Sequence, residues 1–399
     1  MMQAGVRRGP SPPDPSLHAN PALVGLIREE IAGAGPITFA RFMELALYTP
    51  ELGYYTSSPT RIGRGGDFLT APETHPIFGA ALARQVADVW RRLDKPPTFT
   101  IREYGAGRGA LAESIVTALA ADEPELSGSL SYEAVEVNPY RRADLERRLA
   151  AAMPELPLRT LEPAAAAATR PPATGLVLAN EFLDAFPVHR VRQTRDGLRE
   201  VYVEWRGGAF VEVSGPPSTL RIAERLEAEG VHFVEGQQAE IALGVGGWLA
   251  EVGGWLRSGV AIVIDYGYPA AELYGPRRLA GTLMGYADHR LPDDPLLAVG
   301  RQDLTAHVDF TAVERAATAA GLAILGSTTQ ARFLLSLGLE ELLERSRSDP
   351  AQSLAEYLAL RSSIARFLDP RHTGGFRVLA LGRGVDAGEP LLGMRRSVS

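Results

Sequence analysis

Apolar positions change their spacing along the chain, and each change marks a different kind of element. From residue 20 to 93 they fall at helical intervals. Asn20-Pro21 supplies an N-cap and a first-turn proline, with Leu23, Leu26, Ile27 and Ile31 following on one face. A second helix is expected to start at Thr38 and carry Phe39, Phe42, Met43 and Leu45; a third over 76–93 carries Phe78, Leu82, Val86, Val89 and Trp90. Beyond residue 98 the period switches. Short β-branched and aromatic runs at 99–104, 131–137, 158–161, 175–179, 260–265, 323–327 and 376–381 read as strands, most of them separated by helical stretches. Such alternation predicts an α/β fold with a parallel, doubly wound, Rossmann-like sheet of these seven strands.

Breaks in the pattern suggest the domain layout. Residues 1–19 are rich in proline and carry no apolar stretch of the signal-peptide kind, so they read as a disordered tail. Residues 20–95 form a helical segment that caps the sheet and contains a glycine-rich loop, and 96–399 form the main domain. Two insertions interrupt it. Residues 188–236 are β-rich, whereas 268–310 are rich in Gly, Pro, Asp and His and follow a strand end. Loops at the C-terminal ends of parallel strands are where such sheets bind ligands, so 268–310 is expected to form a lid or substrate wall. Thr311-x-x-Glu314 is expected to cap the helix after it.

Candidate chemistry concentrates where strands end. The first strand runs into Glu103-x-Gly105-Ala106-Gly107-x-Gly109, and helical spacing resumes at Leu111. The glycines let a ligand approach the backbone, and the free N–H groups of the new helix point at it. Alternate glycines behind an acid differ from the dinucleotide pattern G-x-G-x-x-G. The acid suits a ligand with a cationic or hydroxyl-bearing end, such as the amino group of S-adenosyl-L-methionine. A ligand-free glycine turn is the other reading. Glu136 closes the second strand, where it can accept from both hydroxyls of an adenosine ribose or be a solvated strand-end acid. Asn180-Glu181-Phe182-Leu183-Asp184 follows another strand. One helical turn there would put both carboxylates on one face, or the cluster could be a helix cap.

Other candidates stand on loops. Asp67 lies in the glycine-rich loop 61–72 and Glu73 just after Ala71-Pro72, each a candidate or equally a plain solvated acid, and Asp265-Tyr266 ends a central strand. Asp303, His307, Asp309 and His289 have ligand-type side chains but no zinc-type helical pairing, so no metal is expected. Composition narrows the classes further. The net charge of −7 offers no global basic field for nucleic acid, and no apolar run approaches the ~20 residues of a membrane helix. With no cysteine, disulfides and thiol catalysis are excluded, and a cytoplasmic protein is the default expectation. The oligomeric state is left open, a homodimer being one option.

In combination these motifs resemble the MidA/NDUFAF7-like family of class I S-adenosylmethionine methyltransferases. The resemblance rests on Leu47-Tyr48-x-Pro50-x-x-Gly53-Tyr54-Tyr55, Gly66-Asp67-Phe68-x-Thr70-Ala71-Pro72-Glu73 and the Glu103 glycine turn. It continues through Asn180-Glu181-Phe182-x-Asp184-Ala185, Asp265-Tyr266-Gly267, the Gln302 to Phe310 stretch and Thr329-Gln330-x-x-Phe333-Leu334. The resemblance implies the seven-stranded methyltransferase form of the sheet and S-adenosyl-L-methionine as cofactor. Cofactor contacts would come from Glu103, Gly105, Ala106, Gly107, Glu136 and Asn180, with Gly66 and Asp67 near the methyl group. It also implies an acceptor arginine in a protein or peptide, since the mitochondrial members are protein arginine methyltransferases acting in assembly of respiratory complex I.

That chemistry accounts for the acids. A guanidinium is a poor nucleophile with delocalised charge, and carboxylates hold it bidentately and bias its charge away from the reacting nitrogen. Glu181 and Asp184 are the expected clamp, with Asp67 and Glu73 next. Tyr54, Tyr55, His75, Asp265 and Tyr266 are the expected substrate contacts, the tyrosines packing on a guanidinium plane or serving as core aromatics. Competing readings are methyl transfer to a small molecule or another nucleophile, a non-catalytic cofactor-binding assembly factor, and, against the glycine spacing, an NAD-dependent oxidoreductase.

Overall fold

The computed structural model describes residues 19–57, 71–168, 172–286, 294–348 and 353–395. The expected tail, apart from Ala19, and the candidates Gly66, Asp67 and His289 lie outside the described residues. Helix α1 (Pro21–Ala34) starts where Asn20 accepts a hydrogen bond from the Ala22 N–H, and it buries Leu23, Ile27 and Ile31. Helix α2 (Phe39–Tyr48) is capped by Thr38, which accepts from the Arg41 N–H. Helix α3 (Ile77–Arg92) buries Phe78, Leu82, Val86, Val89 and Trp90. Each large apolar side chain buried this way contributes roughly 1.5–3 kcal/mol. Gly79 lets α3 press onto the helix after the first sheet strand, since a Cβ there would fall 2.0 Å from Ser114 Oγ.

The main sheet begins with β1 (Phe99–Tyr104), buried throughout, followed by α4 (Ala110–Asp122). Strand β2 (Leu130–Val135), helix α5 (Pro139–Ala152), β3 (Leu158–Leu161) and β4 (Ala173–Asn180) follow in turn. The chain then leaves this sheet for β5 (His189–Thr194), β6 (Gly197–Arg206), β7 (Ala209–Gly215) and β8 (Gln238–Ile241). It returns with β9 (Leu256–Asp265), β10 (Ala323–Thr329) and β11 (Arg377–Arg383). All seven expected strands join one sheet, in the order β10-β11-β9-β4-β1-β2-β3.

The sheet is mixed rather than wholly parallel. Strands β9, β4, β1, β2 and β3 run parallel, but β11 enters between β9 and β10 and pairs antiparallel with both. Alternating apolar runs specify which residues are strands but carry no mark of direction. Both faces are covered, so β4, β9 and β11 carry largely apolar runs, while β1 buries Arg102 and Glu103 among them. The register aligns the C-terminal ends of the parallel strands: Tyr104 lies opposite Val135 and Ala179, and Asn180 opposite Ile264.

The β-rich stretch and the N-terminal helices share a second core. Strands β5 to β8 form an antiparallel sheet that also takes the two-residue strand Ile37–Thr38 onto β6. Leu23, Ile27, Phe39, Phe42 and Met43 pack with Val203 and Phe210 of that sheet, and with Leu296, Val299 and Leu304. The helix after the second insertion, Phe310–Ala319, starts differently from the expectation. Asp309 caps it by accepting from the Ala312 N–H, while Thr311 Oγ1 accepts from the Ala270 N–H instead. Among the described residues, no helix is long and apolar enough to cross a membrane.

Candidate functional site

At the C-terminal end of β1 the chain turns sharply through glycines. Gly105, Gly107 and Gly109 all have positive φ (69°, 55° and 81°), a region that penalises any side chain. Space is limiting as well: a Cβ on Gly105 would lie 3.2 Å from the Phe182 ring, and one on Gly109 2.8 Å from Leu145. The Gly105 N–H donates to the Val135 carbonyl at 2.9 Å, binding the turn to the end of β2. One residue beyond β2, Glu136 accepts from the Gly107 N–H through Oε2 (2.9 Å) and from the Asn138 N–H through Oε1 (2.8 Å). Glu136 is 4% exposed, so this carboxylate is fixed by main chain on both sides.

Asn138 carries more than a helix cap. Its Oδ1 accepts from the Tyr140 and Arg141 N–H groups, and its Nδ2 donates to the Tyr55 and Ser57 carbonyls at 2.8 and 2.9 Å. The tyrosine turn is thereby tied to the start of α5. Within that turn Tyr48 stacks on Tyr55 at 5.6 Å, and Tyr54 meets Tyr55 edge to face at 5.2 Å. The Tyr48 hydroxyl donates to the Ala185 carbonyl.

These groups wall a cavity of about 570 Å³. Glu103, Gly105, Ala106, Gly107 and Glu136 line one part, and Glu73, Tyr54, Tyr55, Asn180, Glu181, Asp184 and Tyr266 line the rest. Twelve of the expected residues are therefore brought together. The segment after β4 is a turn and not the expected helical one, with Glu181 at φ 49°. Asp265 is the reason it holds. Its Oδ2 accepts from the Phe182, Leu183 and Asp184 N–H groups (3.1, 2.9 and 3.3 Å), and its Oδ1 from the Tyr266 N–H. Fully buried, Asp265 is a strut behind the turn and is not part of the cavity lining.

The acids of the turn are electrostatically unusual. Burial, with the Asp184 charge adding to it, pushes the Glu181 carboxyl up to about 8. Asn180 Nδ2 donates to Glu181 Oε1 at 3.2 Å, and the Ala71 N–H approaches it at 3.4 Å. Burial also raises Asp184 to about 6, opposed by the Tyr266 hydroxyl that donates to its Oδ2 at 2.6 Å. Glu103, which accepts from the Tyr132 hydroxyl at 2.6 Å, is likewise pushed up to about 8 by burial.

His75 falls elsewhere. It lines a neighbouring cavity of about 960 Å³ that shares Pro72, Glu73, Arg108 and Ala110 with the first, and its Nδ1 accepts from the Ile77 N–H. Sequence reasoning missed three cavity residues of consequence. Tyr48 and Asp303 entered through the family motifs, with no site role, and Arg141 not at all. Arg141 places its guanidinium over the Tyr55 ring, 5.8 Å from the centroid, and Nη1 4.0 Å from Glu136 Oε1. Asp303 accepts from the Tyr55 hydroxyl at 2.7 Å, and burial together with the Asp184 charge raises it to about 7. Among the described residues, no three His, Asp or Glu side chains gather as a metal site would require.

Comparison with known proteins gives consistent results. A family model described as an S-adenosyl-L-methionine-dependent methyltransferase matches residues 81–328. The mitochondrial protein arginine methyltransferase NDUFAF7 homolog of Drosophila melanogaster is 29% identical, covering 91% of this chain and 85% of its own. The human mitochondrial protein arginine methyltransferase NDUFAF7 is also 29% identical, covering 78% and 72%. A crystal structure from Burkholderia thailandensis bound to S-adenosyl-homocysteine is 37% identical with a TM-score of 0.85, covering 97% of this chain and 98% of that one. The cytoplasmic expectation is overturned by these relatives, which are named mitochondrial. Lack of cysteine cannot separate one reducing compartment from another.

Proposed function

Because this chain belongs to a family of S-adenosyl-L-methionine-dependent methyltransferases, we propose that it methylates an arginine guanidinium nitrogen of a protein or peptide. The observation that carries this reading is that Glu181 and Asp184 line the same cavity as the Gly105–Gly107 turn. The names of the 29%-identical relatives point the same way.

The residues fit S-adenosyl-L-methionine, the cofactor of the family. The glycine turn leaves a space that side chains would fill. Two buried polar atoms of the cavity wall, Asn180 Oδ1 and Trp248 Nε1, make no hydrogen bond within the protein, as expected of groups reserved for a ligand. Glu136 would receive the ribose hydroxyls, its carboxylate already oriented by the Gly107 and Asn138 N–H groups. Glu103 and Asn180 would face the amino-acid end. Gly66 and Asp67 keep the role that the family resemblance gives them, beside the methyl group. When bound, the cofactor supplies a methyl group on a sulfonium, electrophilic toward a nitrogen lone pair.

The chain's own contribution is to hold and polarise the acceptor. Glu181 and Asp184 bind the guanidinium through charge-assisted hydrogen bonds and draw its positive charge away from the attacking nitrogen. Fixing that nitrogen in line with the methyl group supplies several kcal/mol of the barrier. Glu73 lies within electrostatic reach of Glu181 and adds to the same field. Glu181, with its raised proton affinity, takes the proton that leaves the methylated nitrogen.

Incubation with methyl-labelled cofactor and cell lysate tests the reading. Label is expected in protein, and acid hydrolysis is expected to release methylarginine. Label confined to a small molecule would overturn it.

A further inference from the structure

Asp303 reaches the cavity from a different part of the chain than any residue used so far. It opens the short strand Asp303–Thr305, which pairs antiparallel with Met284–Tyr286, so Asp303 and Thr305 share one face. Both line the cavity, and buried Thr305 Oγ1 makes no hydrogen bond within the protein. Asp303 and Asp184 are treated alike by their surroundings. Each accepts from one tyrosine hydroxyl, Tyr55 at 2.7 Å and Tyr266 at 2.6 Å, through a single carboxylate oxygen. Among the described residues, neither acid has an arginine, lysine or histidine within ion-pair distance, although the Asp184 charge is close enough to raise Asp303. Arg141 acts on Asp303 only at longer range and leans on Glu136 instead, so two neighbouring buried carboxylates are left without an ion-paired partner and favour an external cation.

We propose that Asp303 is a second acceptor-binding acid, which with Asp184 holds the cationic group of the substrate between the Tyr55 and Tyr266 hydroxyls. This rests on the reading of the cavity as an arginine-methylating site. Tyr55 and Tyr266 act as positioning residues, each fixing one oxygen and leaving the other to the substrate. The groups facing Asp303 are Tyr55 and Tyr48 from the tyrosine turn, Asp184 from beyond β4, Arg141 from α5 and Tyr286 from the paired strand. Burial and the Asp184 charge push Asp303 up to about 7, so the pair is mostly ionised at pH 8 and loses charge toward pH 6. A bound cation favours the ionised form. Acceptor affinity therefore falls as the pH is lowered through that window.

Calorimetric titration of a blocked arginine (N-acetyl-arginine methylamide) into the full chain saturated with S-adenosyl-homocysteine tests this. At pH 8, Asp303→Asn is expected to weaken binding by roughly tenfold, the loss of a charge-assisted contact. Affinity for S-adenosyl-homocysteine should stay unchanged, which shows that the variant is folded. The drop in affinity between pH 8 and pH 6 should shrink in the variant, a change that a merely structural residue would not produce. Tyr55→Phe should move the midpoint of the pH profile upward, because Asp303 loses the donor that lowers it. Equal arginine affinity in wild type and Asp303→Asn overturns the proposal and leaves the methyltransferase reading intact. If a blocked lysine binds as tightly as the arginine and both weaken in Asp303→Asn, Asp303 stands as a cation-holding acid and the arginine reading fails. Absence of binding to the wild type overturns both.

Discussion

The two walls of the cavity are built on opposite plans. The wall that would take the cofactor comes from consecutive pieces of chain, the end of β1 with its glycine turn and the residue after β2. Glu136 there rests on main-chain N–H groups. The acceptor wall draws on five separate stretches, and Asp184 and Asp303 are each held by a tyrosine hydroxyl from another stretch. A main-chain scaffold suits a ligand that never changes. Side chains from separate segments can be exchanged one at a time, so that wall is free to define a substrate.

The sharpest way to break this contrast is at Glu136. Glu136→Ala is expected to weaken S-adenosyl-homocysteine binding on the order of a hundredfold, as two hydrogen bonds to a charged acceptor are lost. Calorimetry would measure it, and unchanged affinity would remove Glu136 from the cofactor wall. On the other side, Glu181→Gln should leave cofactor affinity alone and lower turnover by at least about tenfold. A parallel loss of cofactor affinity would mean that the walls are not separable.

Gly105→Ala probes the scaffold itself. A side chain at φ 69° and 3.2 Å from Phe182 should cost about 1–2 kcal/mol, seen as a lower melting temperature. The response of the ligand-free protein to pH tests the buried acids together. Glu103 and Glu181 near 8, Asp303 near 7 and Asp184 near 6 bind protons in the folded state that their unfolded counterparts, near 4, do not. Stability should therefore rise as pH falls from about 9 to 6. A melting temperature that falls over this range would show that the carboxyls are already ionised or solvated.

The same contrast explains what could be read from the sequence. Strand positions and the glycine turn were legible because their signals are local: apolar periodicity, β-branched runs and glycines at one strand end. The direction of β11 was not, since pairing with β9 and β10 is decided by topology. Nor was Asp303, which meets Tyr55 across 248 residues. Its place in the Gln302 to Phe310 stretch was legible, but not the tyrosine it would meet. Asp265 was found for the wrong reason: its place at a strand end was legible, but not that four N–H groups would consume its lone pairs. Thr311 yielded its cap to Asp309 for a similar cause, since a hydroxyl claimed by Ala270 is unavailable to its own helix.

Glu181 has φ 49°, where glycine rests without penalty and a β-carbon does not. For folding alone, glycine would be the better residue at this position by about 1 kcal/mol. The chain thus keeps a local instability at the one backbone position that aims this carboxylate into the cavity. Glu181→Gly should make the protein harder to melt and unable to turn over.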